Sequence, residues 1–173
     1  MATALPANTV AGSKFTDAWP VAFLSLGATE DGSEFNYESK VEAIKAAEFF
    51  DPIKWATTER SGSFAFNLID YTLSNFKRAM NGGTILPSGA GPTLMTKYTP
   101  PAPGGEIRAM IGWESLDSTV RIISYQTING GTIKSAFKKA PSVAVIPCVF
   151  NFEVPTSGVP FEIFTAGVRG SVL

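Results

Sequence analysis

Residues 33 to 43 alternate in polarity with serines at two of the apolar positions, and no other feature of the chain limits its fold so strongly. Phe35, Tyr37, Val41 and Ala43 occupy odd positions, whereas Glu34, Asn36, Glu38, Lys40 and Glu42 occupy even ones. Successive side chains of a strand point to opposite faces, so the pattern specifies a long strand with one wet face. The phase slips where Ile44 is apolar and Lys45 polar, which predicts a bulge or bend near that point. More strands follow at the intervals of an all-β domain. Residues 61 to 69 place Phe64, Phe66 and Leu68 on one face. Residues 106 to 114 set Ile107, Ala109, Ile111 and Trp113 against Glu106, Arg108 and Glu114. After a turn at Leu116, Asp117 and Ser118, a strand from Thr119 to Gln126 leads through Asn129, Gly130 and Gly131 into a hairpin partner from Thr132 to Lys138. Val143 to Val154 is apolar on both faces and reads as a central strand. Phe161 to Val168 completes a set of seven or eight.

One helix is expected, from Thr72 to Gly83. Leu73, Phe76 and Met80 form its apolar stripe, Thr72 caps its start, Lys77 and Arg78 suit its C-terminal half, and Gly82 fits a left-handed C-cap. The Gly- and Pro-rich segment 82 to 105 reads as a long loop, of the kind that forms interfaces. Residues 1 to 20 hold small residues and two prolines without a period, and read as an extended arm. The fold class is therefore mainly β: an antiparallel sandwich or barrel with one short flanking helix, a single domain over residues 21 to 173.

Composition removes much chemistry. The 173 residues include no histidine and one cysteine, Cys148. A Ser-His-Asp or Cys-His unit, an imidazole proton shuttle and a histidine-containing zinc site are thereby excluded. An intrachain disulfide and a thiolate metal cluster are excluded as well. A carboxylate pair is the remaining catalytic route, and Asp70, Glu114, Asp117 and Glu153 are available for it, but their spacing brings no two together. Phosphate-binding glycine motifs and a calcium loop are absent. No cofactor or metal is expected, nor an enzyme. Cys148 reads as a small buried hydrophobe. No stretch is long and apolar enough to cross a membrane, and Met1 to Gly12 does not read as a signal peptide, so synthesis inside the cell is the expectation.

Charge is scarce and uneven. Charged residues make up 17% of the chain where about 25% is usual, while aromatics reach 12%. A surface so poor in charge is expected to be covered in part by other subunits. With 14 basic and 15 acidic residues the net charge is −1, against binding nucleic acid through an overall basic surface. Residues 30 to 59 hold eight acids and three bases, a net of −5, and the remainder carries +4. Such separation suits head-to-tail contact between unlike patches of identical subunits, which closes into rings or continues as filaments. A solvated strand face that happens to be acidic is the alternative.

Leu26-Gly-Ala-Thr-Glu-Asp-Gly-Ser-Glu-Phe35, the alternating strand after it, and Glu48-Phe-Phe-Asp-Pro-Ile-Lys-Trp-Ala-Thr-Thr-Glu-Arg-Ser-Gly-Ser63 together resemble the major tail (tail tube) protein of long-tailed bacteriophages. Ser74 to Gly83 and the closing stretch Pro155 to Gly170 are similar to the same family, so the likeness spans about residues 20 to 170. The resemblance implies a β-sandwich or barrel whose copies form hexameric rings. The rings stack into a tube in the virion through which genome DNA leaves without specific binding. Its partners would be further copies and the tape measure, tail terminator and distal tail proteins, with no membrane involved. On this likeness the segment from Glu42 to Arg60 is a hairpin that stacks rings, with Phe49, Phe50, Asp51, Pro52, Trp55 and Arg60 between subunits. The alternative is that Phe49 and Trp55 fold back on their own sheet. Glu34, Glu38 and Glu42, about 13 Å apart from one to the next along an extended strand, are expected to line the lumen and repel phosphate. Lys40 on the same face opposes that assignment. Two other functions remain open: a tail-junction or contractile-injection tube component, and a carbohydrate-binding β-sandwich of a host-recognition protein.

Overall fold

The computed structural model describes residues 2–4, 24–115, 119–134 and 144–165. The chain is mainly β, an antiparallel curled sheet with one short helix. Its strands are β1 (Ala2–Ala4), β2 (Leu24–Ser25), β3 (Thr29–Ile44), β4 (Lys54–Leu68), β5 (Thr84–Ser88), β6 (Met95–Thr99), β7 (Ala109–Glu114), β8 (Val120–Asn129), β9 (Ile146–Phe152) and β10 (Phe161–Thr165). Helix α1 spans Leu73–Ala79. Eight strands form one sheet in the order β2-β1-β7-β8-β9-β4-β3, with β10 added against β8, and β5 pairs β6 apart from them.

The curl originates in β8. Arg121 to Ser124 pairs with β7 on one side and β10 on the other, whereas Thr127 to Asn129 exchanges β10 for β9. Between these halves the β7–β8 register slips, since Ala109 faces Thr127 but Ile111 faces Ser124. The extra residue on β8 bends the strand where its neighbour changes, as bulges do. The two halves of the sheet therefore face each other across a shared core.

That core follows the alternation of β4 and β9. Phe64, Phe66 and Leu68 lie opposite Phe150, Cys148 and Ile146, all six buried. Leu26, Ile111, Ile122 and Ala79 complete the cluster. Each large apolar side chain buried here stabilises the fold by about 1.5–3 kcal/mol. Burial pushes the Cys148 thiol up to about 12, so it stays protonated and inert at neutral pH. Phe35, Phe152 and Phe161, with Tyr37 at the rim, bridge the β3–β4–β9 half to β10 at centroid distances of 5.3 to 5.8 Å.

Gly62 belongs to this cluster by what it lacks. A β-carbon at Gly62 would come within 2.5 and 3.0 Å of two carbons of the Phe152 ring. Replacing Gly62 by valine is expected to cost about 1–3 kcal/mol, as for other overpacked sites, measured as a lower denaturation midpoint. An unchanged midpoint would show that the ring is free to swing away.

Several expectations change. Residues 82 to 105 are not one loop, because β5 and β6 pair across five positions with a short 3-10 turn at Gly91–Thr93 between them. Thr72 does cap α1, accepting from the Asn75 amide at 3.2 Å, and Gly82 does take a positive φ, 125°, at its end, but Asn81 before it is left-handed as well, with φ 55°. The buried side chains of α1 are Asn75 and Ala79, whereas Leu73 is exposed and Phe76 and Met80 are half-buried. Asn75 donates to the carbonyls of Leu26 and Asp70 at 3.1 and 2.9 Å, tying α1 to the start of the β3–β4 unit.

Asn129-Gly130-Gly131 forms no positive-φ hairpin. Instead the Asn129 side chain donates to the Ala79 carbonyl at 2.5 Å and accepts from the amides of Val149 and Gly131 at 2.9 and 3.2 Å. Asn81 answers by exchanging two bonds of 2.8 Å with the Asn129 backbone. The end of α1 is thereby fastened to β8 and β9. Thr132 to Lys134 is not strand, and the rest of the expected partner, like the turn at 116 to 118, lies outside the described residues. Of the expected arm, Ala2–Ala4 is seen, as a strand between β2 and β7.

Candidate assembly surface

The β3–β4 hairpin has two unlike halves. Near its root β4 is flanked by β3 and β9, with Ser63 to Leu68 paired to Asn151 to Ile146. From Gly62 to Lys54 its only strand partner among the described residues is β3. The outer half is thus a two-stranded ribbon projecting from the body. Its turn is residues 45 to 53, closed by the Ile53 amide on the Ile44 carbonyl at 2.9 Å. The expected loop of 42 to 60 is therefore mostly strand, because Glu42 to Ile44 and Lys54 to Arg60 continue the ladder. The phase slip also moves. Lys40 faces Glu59 and Val41 faces Thr57, so Thr58 on β4 is the extra residue and β3 stays regular through Ile44.

Regularity of β3 places Glu34, Glu38 and Glu42 on one face with Asn36 and Lys40. Across the ladder that face continues into Ser61, Ser63 and Glu59, and on β9 into Asn151. All three glutamates are exposed, and Lys40 pairs with Glu42 at 3.4 Å in full view of solvent, a contact worth at most about 1 kcal/mol. A shallow groove of about 320 Å³ lies on this face, lined by Asn36, Glu38, Ser61, Ser63 and Asn151 among others. The face is polar, open and acidic.

The opposite face of the ribbon carries Tyr37, Val41, Ala43 and Trp55, with Thr57 and Arg60. Val41 is half exposed and Trp55 63% exposed. At the turn Phe49 is 63% and Phe50 fully exposed, and Ile53 joins them, with Asp51 exposed beside Pro52. Phe49 and Trp55 do not fold back on the sheet. Sequence reasoning set Phe49, Phe50 and Trp55 between subunits but did not assign Ile53, Val41 or Tyr37 there, although Ile53 stands between Phe50 and Trp55.

The described candidate catalytic carboxylates, Asp70, Glu114 and Glu153, each meet a different neighbour. Glu114 accepts from the buried Arg121 at 2.6 and 2.8 Å. Glu153 accepts from Gln126 at 2.9 Å and from Arg108 at 3.1 Å, and these bonds hold its carboxyl below the usual range. That contribution to stability is present above the ordinary glutamate pKa and fades as pH falls through the lowered one. Asp70 rests against Gly27, and Asp117 lies outside the described residues. Among the described residues no three His, Cys, Asp or Glu side chains gather as metal ligands, and no helix is long and apolar enough to cross a membrane.

No protein-family model matches the chain, and no curated protein matches its sequence.

Proposed function

We propose that the chain is a structural subunit of a phage-type tail tube. Copies assemble into rings, with six as the expected number, and the rings stack into a conduit for genome DNA. No catalytic step is involved. The observation that carries this reading is the projecting β3–β4 ribbon, which exposes Phe49, Phe50, Ile53 and Trp55 together. Aromatic anchors of this kind dominate protein interfaces, and the described residues of the monomer leave them uncovered. The sequence likeness to tail tube proteins supports the same reading, and with it come the virion as location and the tape measure, terminator and distal tail proteins as partners.

On this reading the Glu34, Glu38 and Glu42 face lines the lumen. Repeated around a ring, these carboxylates repel phosphate and keep DNA sliding. Electron microscopy of the purified protein tests the proposal. Hollow tubes of uniform diameter are expected, with the three glutamates on the inner wall of a reconstructed map. All three on the outer wall would remove the lumen assignment but leave the tube. Persistent monomers with affinity for glycans would instead favour a carbohydrate-binding module, to which exposed Trp55 also lends itself.

A further inference from the structure

We propose that the β3–β4 turn of one subunit docks on the outward face of the β5–β6 hairpin of a second copy of this chain. The inference rests on self-assembly as proposed above and names the surface that receives the turn.

In the β5–β6 ladder Ile85 faces Tyr98, Leu86 faces Lys97 and Ser88 faces Met95. Ile85 and Tyr98 are half-buried, and the Tyr98 hydroxyl donates to the Gly82 carbonyl at 2.9 Å, which fixes that side of the hairpin to the body. The other side is bare. Leu86, Met95 and the adjoining Leu94 are each more than 60% exposed. Leucine and methionine form an adaptable apolar bed on which aromatic rings pack well. The turn offers such rings in Phe49 and Phe50. Both surfaces are exposed in the same molecule, so they do not cover each other within one chain.

Charge selects this pairing over turn against turn. Phe49 and Phe50 lie between Glu48 and Asp51, within a stretch from 30 to 59 of net charge −5. Residues 71 to 105 contain three bases, Lys77, Arg78 and Lys97, and no acid. Lys97 is exposed on the same face as Leu86 and Met95. Two turns brought together set Glu48 and Asp51 beside the rings against their own copies, with Lys45 and Lys54 only at the ends of the turn, whereas a turn on β5–β6 sets those two carboxylates against Lys97. The contact joins unlike patches, and each subunit keeps one of each free for further copies.

Complementation of two variants tests it by sedimentation. One carries Phe49→Ser with Phe50→Ser, the other Leu86→Ser with Met95→Ser; all four positions are solvent-facing, and unchanged circular-dichroism melts confirm the fold. Each variant alone is expected to stop short of wild-type assembly. An equimolar mixture is expected to give a larger species holding both in equal amounts, since each supplies what the other lacks. Lys97→Glu should weaken association at least tenfold and Asp51→Lys in the partner restore it. A Leu86/Met95 variant that assembles like wild type, or a mixture no larger than its components, overturns the inference. Wild-type tubes with either of those results leave the tube reading intact. Complementation without any tubes in the wild type leaves this contact standing and removes the tube.

Discussion

Asn129→Ala is expected to lower the midpoint of thermal unfolding by roughly 6–12 °C. The change strips partners from the Ala79 carbonyl and the Val149 and Gly131 amides together. A buried polar group left without a partner costs about 1–3 kcal/mol. Gly131 is half-buried and regains water, so a loss of about 3 kcal/mol is expected, and in a domain of this size 1 kcal/mol moves the midpoint by about 2–4 °C. Asn81→Gly separates the two members of the pair. It keeps the left-handed backbone and removes only the bonds to Asn129, so a smaller shift is expected. Calorimetry reads both. A midpoint for Asn129→Ala within 2 °C of wild type, on that same roughly 2–4 °C scale, would show that the fastening of α1 to β8 and β9 contributes little.

Replacement of residues 45 to 53 by Asn-Gly is expected to abolish assembly while leaving the domain folded. Ile44 and Lys54 face each other, so a two-residue turn can join them without disturbing the ladder. The deleted side chains are mostly exposed, Phe50 completely, and truncating exposed groups usually changes stability by less than about 0.5 kcal/mol. The same groups supply the aromatic anchors of the proposed contact, where losing one anchor costs about 2 kcal/mol or more. Microscopy and sedimentation should find soluble, folded subunits and no tubes. Tubes from the shortened chain would refute a role for the turn in stacking.

Local patterns in the sequence were informative wherever one face of an element meets the core. Phe64, Phe66 and Leu68 alternate because β4 has a buried side there, and the structure buries all three. Thr72 is legible as a cap because its bond reaches only three residues on. Reading failed where a distant partner decides the outcome. Leu73 looks like a core residue by spacing, yet Asn75 takes the buried position because the Leu26 and Asp70 carbonyls await it. Asn129 resembles a turn residue, but its side chain is consumed by α1 and β9. β5 and β6 were hidden because glycine and proline dominate their neighbourhood. In the candidate surface, Phe49, Phe50 and Trp55 stood out as aromatics in an acidic stretch. Leu86, Leu94 and Met95 carried no such flag, since single apolar residues among turn-formers look unremarkable until their exposure is known.

Among the described residues, the ribbon beyond Gly62 has no third strand beside it. Two-stranded hairpins are marginal on their own in water. On the proposed assembly this gives growth a threshold: a first encounter must immobilise a loose ribbon for a single contact, whereas a subunit arriving at a formed end meets neighbours that already hold theirs rigid. Elongation is then favoured over initiation, so free subunits accumulate until a preformed starting end is supplied. A lag before tubes appear, shortened by seeding with fragments, is the kinetic signature of a ribbon left without its third strand.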